Sequence, residues 1–153
     1  MIRRSVPRRE QGQVTVLVIG LLSIALVLIL GAIDVTAVHL ARVRLVDLAD
    51  AAALDAADSL DEGGAYTGGV GDAVTVSSQT VRSSASSYLA ARAKPEGIAS
   101  WAIAPGTGAD GRDTAVVVVT ARVELPMTGG LLSALGQDVT ITVQSRARAP
   151  LQG

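Results

Sequence analysis

The feature that most constrains this chain is an uncharged run of twenty residues, from Val14 to Ile33. As an α-helix, such a run is about 30 Å long, which matches the thickness of the hydrocarbon core of a bilayer. A secretory signal peptide is the alternative, but its apolar region usually spans about 7 to 15 residues and precedes a small-x-small cleavage site. Here the run is longer, and Asp34, Val35 and Thr36 follow it directly. We therefore expect an uncleaved membrane anchor.

Charged residues are distributed unevenly on the two sides of this run. Residues 1–13 carry four arginines and Glu10, a net charge of 4 − 1 = +3, whereas residues 34–153 carry 9 basic and 13 acidic side chains, a net of 9 − 13 = −4. The positive-inside rule therefore predicts a single-pass protein of the cell membrane, with its N-terminus in the cytoplasm and its C-terminal part outside. The small total charge gives no reason to expect a nucleic-acid partner.

Past the run, helix-compatible sequence continues to residue 60. Apolar residues recur there at steps of three and four, which is the spacing of a narrow stripe along one side of a helix. Such a stripe usually packs on a neighbour. Asp34 lies at the end of the run, either at the outer membrane surface or paired with another subunit. We predict an assembly interface made of seven residues, namely Asp34, Val38, Ala41, Leu45, Leu48, Ala52 and Ala56.

Beyond residue 60 the sequence predicts a small α+β head. A glycine-rich segment ends the long helix. Residues 78–93 are expected to form a second helix that ends before Pro95, with Val81, Ala85, Tyr88 and Leu89 on its apolar side. Alternation of apolar and polar residues predicts antiparallel strands at 114–125 and 139–149, with a weaker third strand at 98–104. Between the strands predicted at 114–125 and 139–149, residues 126–136 contain a helical turn that we expect to pack on the sheet.

The expected fold class is therefore α+β. A single N-terminal transmembrane helix continues into a long amphipathic helix and carries a head of one further helix and a three-stranded antiparallel sheet. The expected segments are a cytoplasmic basic arm (1–13), a transmembrane helix (14–33), an extracytoplasmic helix (34–60) and the head (61–153).

No motif in the sequence predicts a catalytic, metal or cofactor site. The chain has no cysteine, one histidine (His39) and three aromatic residues, so cysteine-based zinc sites and aromatic stacking platforms are excluded. Residues 106–111 have the spacing G-x-G-x-x-G, but a strand rather than a helix is expected to follow, which favours a turn over a dinucleotide site. We expect neither a cofactor nor an enzyme.

The region around the uncharged run has a recognisable order of motifs. Gly12 and Gln13 precede the run, Asp34 follows it, and Arg-x-x-Leu-x-x-x-Ala-Asp-Ala-Ala-Ala-Leu extends from Arg42 to Leu54. In this order, residues 11–58 resemble the N-terminal module of the TadE/TadG-like Flp-pilus assembly proteins. The resemblance implies an inner-membrane-anchored component of tight-adherence pilus biogenesis or a related secretion system, with a pilin-like head.

The partners that the resemblance implies are other membrane subunits of such a system or pilins, together with the lipid bilayer. A homo-oligomer is a further option. Prepilins carry Glu at the fifth position after the cleaved glycine, whereas the fifth residue after Gly12 is Leu17. This difference counts against processing by prepilin peptidase.

Two hypotheses of function follow from the sequence. The first is a structural component of pilus assembly, either an assembly factor or a minor pilin-like subunit. The alternative is a membrane-tethered extracytoplasmic ligand-binding module unrelated to pili.

Overall fold

The computed structural model describes residues 10–64, 72–111 and 113–148. The elements in chain order are α1 (Glu10–Gly64), α2 (Asp72–Ala90), β1 (Ile98–Ile103), β2 (Gly108–Asp110), β3 (Thr114–Val123), α3 (Gly129–Ala134) and β4 (Val139–Arg148). The α+β class that the sequence predicts is confirmed. Most of the predicted glycine-rich segment, and Ala149 at the end of a predicted strand, lie outside the described residues.

A single helix of 55 residues, α1, joins the uncharged run to the rest of the molecule. At about 1.5 Å per residue it is roughly 80 Å long, and the predicted continuity of the two helical segments is confirmed. Large apolar side chains from Val14 to Ile29 are exposed and do not pack on the head. By length and composition this part of α1 is able to cross a membrane. An apolar side chain that has no protein neighbour is well suited to lipid, so α1 provides a membrane anchor.

The sheet is built around β3. On one side, β4 pairs with it antiparallel along its whole length, from Thr114 opposite Arg148 to Val123 opposite Val139. The other edge is shared by β1, on the C-terminal half of β3, and by β2, on its N-terminal end. Three of these strands match the predicted ones. The short strand β2 is not predicted by the sequence.

The segment that joins β1 to β2 runs beside Val118 of β3 without regular strand pairing. The amide of Val118 donates to the Thr107 hydroxyl at 2.9 Å, and the Ala104 amide donates to the Val118 carbonyl at 2.8 Å. The G-x-G-x-x-G segment is therefore a turn followed by strand β2. Its first and last glycines, Gly106 and Gly111, have φ values of +98° and +76°, which other residues rarely adopt.

Both long helices cover one face of the sheet, α1 over β3 and β4 and α2 beside it. The valines and alanines of β3 that point to this face, at alternate positions from Ala115 to Val123, are buried as the sequence predicts. Val116 and Val118, which lie between them, are buried as well, so burial along β3 does not alternate in its first half. On α2, the predicted apolar side is also buried through Val81, Ala85 and Leu89. The covered side of α1 consists of Leu45 and small residues, namely Ala41, Ala49, Ala52, Ala53, Ala56 and Ala57. Because alanine side chains are short, the helix lies close to the sheet.

The expectation that residues 126–136 pack on the sheet is wrong. They do form a helix, α3, but none of its residues is buried. The sheet face that an additional helix would need is already covered by α1 and α2. The turn that precedes α3 is instead attached to α1, as described below.

We predict that Leu45→Ala lowers the free energy of unfolding of the full chain in detergent micelles by about 2 to 5 kcal/mol, since Leu45 is fully buried between α1 and the head. The matched control is Leu54→Ala on the same helix, where the leucine is 60% exposed. This change should alter stability by no more than about 0.5 kcal/mol. Denaturant titration of both variants tests the packing, and equal losses would contradict it.

Candidate functional site

The seven residues of the predicted assembly interface all lie on the side of α1 that faces the head. Asp34 and the four stripe residues Ala41, Leu45, Ala52 and Ala56 are buried, and Val38 and Leu48 are half-buried against the core. Their spacing therefore identifies the packed side of the helix, and in this structure the neighbour is the chain's own head. A contact of these residues with another chain stays a prediction.

Asp34 forms the attachment nearest to the anchor. Its Oδ1 accepts a hydrogen bond from the Met127 amide at 2.9 Å, and its Oδ2 accepts one from the Thr128 amide at 2.9 Å and another from the Thr128 hydroxyl. Asp34 is buried, with only 6% of the residue exposed, so these hydrogen bonds replace the contact of its carboxylate with water. Since Asp34 and Thr128 are 94 positions apart in the chain, this cluster fixes the connection between β3 and β4 to α1 just after the uncharged run. We call the three residues the Asp34 clamp.

The hydrogen bonds of the clamp also set the protonation state of the carboxyl group. The Thr128 hydroxyl is the largest influence and lowers the pKa of Asp34, and the amides of Met127 and Thr128 lower it further. Burial acts in the opposite direction but does not prevail. The pKa therefore lies below its ordinary value, because donors that face a carboxylate favour its charged form.

Further polar contacts attach α1 to the head farther from the anchor. Arg44 donates to the carbonyl of Glu96 at 2.5 Å. Beyond it, the Ser145 hydroxyl on β4 donates to Asp50. Near the end of the helix, the Ser84 hydroxyl on α2 donates to Asp55 at 2.6 Å. Together with the buried alanines and the Asp34 clamp, these contacts form the helix–head interface.

Nothing in the sequence pattern singles out Met127, Thr128 or Ser145 as partners of α1. Asp34 is the one polar residue that the sequence predicts in an interface, from its place at the end of the uncharged run, and Asp50, although it belongs to the Ala-Asp-Ala-Ala-Ala-Leu motif, is not predicted in one. Hydroxyl–carboxylate pairs between distant segments leave no periodic trace, so sequence alone does not find them.

On the opposite side of α1, a second set of apolar side chains remains exposed outside the uncharged run. This outer face of α1 consists of Leu40, Val43, Val46 and Leu54. His39 lies beside it in a shallow depression that also includes Arg42 and Asp47. Within the described ranges there is no group of three or more His, Cys, Asp or Glu side chains that is able to hold a metal ion. The exposed apolar side chains of the outer face suit contacts between helices.

Replacing Asp34 by Asn should loosen the clamp. Both carboxylate oxygens of Asp34 accept hydrogen bonds, whereas in Asn one of them is replaced by an NH₂ group, which is itself a donor and would face the donors of Met127 or Thr128. We expect a lower melting temperature of the full chain in micelles and faster hydrogen exchange at the amides of Met127 and Thr128. Asp47→Asn, on the exposed side of the same helix, is the matched control and should change neither. Unchanged exchange at Met127 and Thr128 in the Asp34→Asn variant would contradict the role of the clamp.

The same cluster predicts an acid dependence of stability. A carboxyl whose pKa is lowered by folding stabilises the native state fully above its unfolded value of about 3.9. This contribution is lost as the pH falls through the lower, folded-state pKa. Melting temperatures measured from neutral pH downward should therefore drop more steeply below about pH 4 in the wild type than in Asp34→Asn. If the melting temperatures of the two proteins fall in parallel as the pH is lowered, the predicted contribution of Asp34 to stability is contradicted.

Comparison with known families agrees with the resemblance seen in the motifs. Residues 12–59 match a family model described as "Putative Flp pilus-assembly TadE/G-like". The matched part is just under a third of the 153 residues, and it contains the anchor and all seven residues of the predicted interface. Neither a search of curated proteins nor a search of solved structures found a match. Residues 12–59 of the chain are thus similar to the TadE/G-like Flp pilus-assembly family.

Proposed function

We propose that this protein is a membrane-anchored structural component of Flp/Tad-type pilus assembly or of a related secretion system. In that role it acts as an assembly factor or a minor pilin-like subunit. The observation that carries the proposal is that the TadE/G-like module coincides with the helix that both provides the anchor and holds the head. The description of the similar family names pilus assembly, and the role that we propose is structural.

The continuity of α1 supports a mechanical role. No break separates the anchor from the extramembrane part, and the head is attached at four levels, through Asp34, Arg44, Asp50 and Asp55. A displacement of the anchor would therefore be passed to the head as a movement of one body. An assembly component whose anchor contacts one subunit in the membrane, and whose head contacts a second subunit outside it, would need this stiffness.

The orientation belongs to the proposal and is supported by charge. The arm before the anchor has a net charge of 4 − 1 = +3, and the remainder after the anchor has a net of 9 − 13 = −4. By the positive-inside rule, the head then lies on the extracytoplasmic side. Flp-type subunits or further copies of this chain would meet it there or within the membrane.

We place the contacts with such subunits on the anchor and on the outer face of α1. The residues of the stripe are covered by the head, and their part in assembly is to hold the head at a fixed angle on the helix. In the part of the chain that the structure describes, the outer face is exposed, and it continues the direction of the anchor. Apolar helix surfaces of this kind pair with helices of other proteins.

A photo-crosslinking amino acid at Val43, on the outer face, should capture a pilus-system subunit or a second copy of this chain in cells that assemble pili. The matched control is the same probe at Leu45, which is buried against the head and should give only crosslinks within the chain. A probe at Val43 that captures neither a pilus-system subunit nor a second copy would contradict the proposal. The melting temperature of the Val43 probe variant, compared with that of the wild type, shows whether this variant is folded, so loss of fold is not confused with absence of a partner.

A further inference from the structure

The segment that contains α3 exposes apolar side chains that the fold does not use. Met127, Leu131 and Leu135 are 48%, 67% and 67% exposed, and they follow one another at steps of four residues. Helical hydrogen bonds run through this segment, from the amide of Leu132 to the carbonyl of Thr128 and from that of Leu135 to that of Leu131. Residues four apart on a helical turn lie on one side. The three side chains thus form one apolar surface, which we call the α3 surface.

The Asp34 clamp fixes the position of this surface relative to the membrane anchor. Asp34 is the first residue after the uncharged run, so its Cα lies about 1.5 Å beyond that of Ile33 along the helix axis. Its carboxylate binds the amides of Met127 and Thr128 directly at 2.9 Å, and α3 starts one residue later, at Gly129. The α3 surface therefore lies at the level where the membrane-crossing part of α1 ends.

The composition of the segment agrees with this position. No charged residue occurs from Leu125 to Gln137. The nearest charged side chains are Glu124 and Asp138 at its two ends, and Asp138 is paired with Arg122 at 3.5 Å on the sheet side. An uncharged apolar surface beside a membrane anchor is suited to the boundary between headgroups and acyl chains, where amphipathic helices insert about 5 to 10 Å.

We propose that the α3 surface inserts into the leaflet of the bilayer on the side of the head, as a second contact with the membrane. We assign the contact to lipid rather than to protein, because the α3 surface lies at the same depth as the exposed apolar side chains of Ile33 and Val35, where the anchor ends. A helix of only six residues offers little length for pairing with another helix. The proposal depends on the membrane anchor alone and holds whether or not the protein serves pilus assembly.

Site-directed fluorescence on the full chain tests this directly, because the natural sequence contains no cysteine. Leu131→Cys and Leu135→Cys are labelled with an environment-sensitive dye after reconstitution into phosphatidylcholine–phosphatidylglycerol vesicles. The matched control is Leu54→Cys, which is 60% exposed and about 30 Å farther along α1 from Asp34. All three positions are exposed, so the substitutions leave the core intact.

We expect emission at positions 131 and 135 to be blue-shifted, and quenching by nitroxide-labelled lipids to be several-fold stronger than at position 54. Quenching by aqueous iodide should follow the opposite order. Equal lipid quenching at all three positions would overturn the proposal. Protection from iodide without lipid quenching would also overturn it, and would assign the α3 surface to a protein neighbour or a second copy.

Discussion

The close approach of α1 to the sheet is the constraint on which the rest of this structure depends. It is possible because the covered side of the helix is lined by alanines, with Leu45 as its one large, fully buried side chain. The polar contacts at Asp34, Asp50 and Asp55 form only at this separation, since each is a direct hydrogen bond to the head. A larger residue in place of one of the alanines would strain the packing and separate the polar pairs as well. The apolar and polar parts of the helix–head interface are therefore coupled.

Elements with a strong local period could be predicted from the sequence. The stripe around Leu45 and the alternation along β4 both reflect burial on one side, and burial on one side leaves a period in the residues. Strand β2 could not be predicted in this way, because three residues, Gly108–Asp110, are too few to show an alternation. The stripe also revealed that α1 has a packed side without revealing the neighbour. That neighbour comes from segments far along the chain, whose position is decided by tertiary packing.

The residues predicted as an assembly interface form the contact between α1 and the head within the chain, and their contact with another chain stays a prediction. The stripe and Asp34 suggested contacts between chains, and in the structure they attach the head to its own helix. This shifts attention to the outer face of α1, where apolar side chains such as Val43 remain exposed although they were not chosen from the sequence. A helix with apolar residues on two sides is able to hold its own head and still meet a neighbour. Such a division of faces fits a component that is built into a larger membrane assembly.

The arrangement of β4 has a consequence for symmetry. This strand pairs with β3 along one edge, and among the described residues its other edge has no partner strand. It runs away from the anchor, since Val139 lies toward the end of the sheet near the Asp34 clamp and Ser145 lies at the level of Asp50. Two copies anchored upright in one bilayer therefore present these strands in the same direction. An antiparallel pairing of β4 with β4 of a second copy, related by a two-fold axis, would require one of the two anchors to point out of the membrane. The anchor therefore excludes a continuous sheet of this kind across two copies.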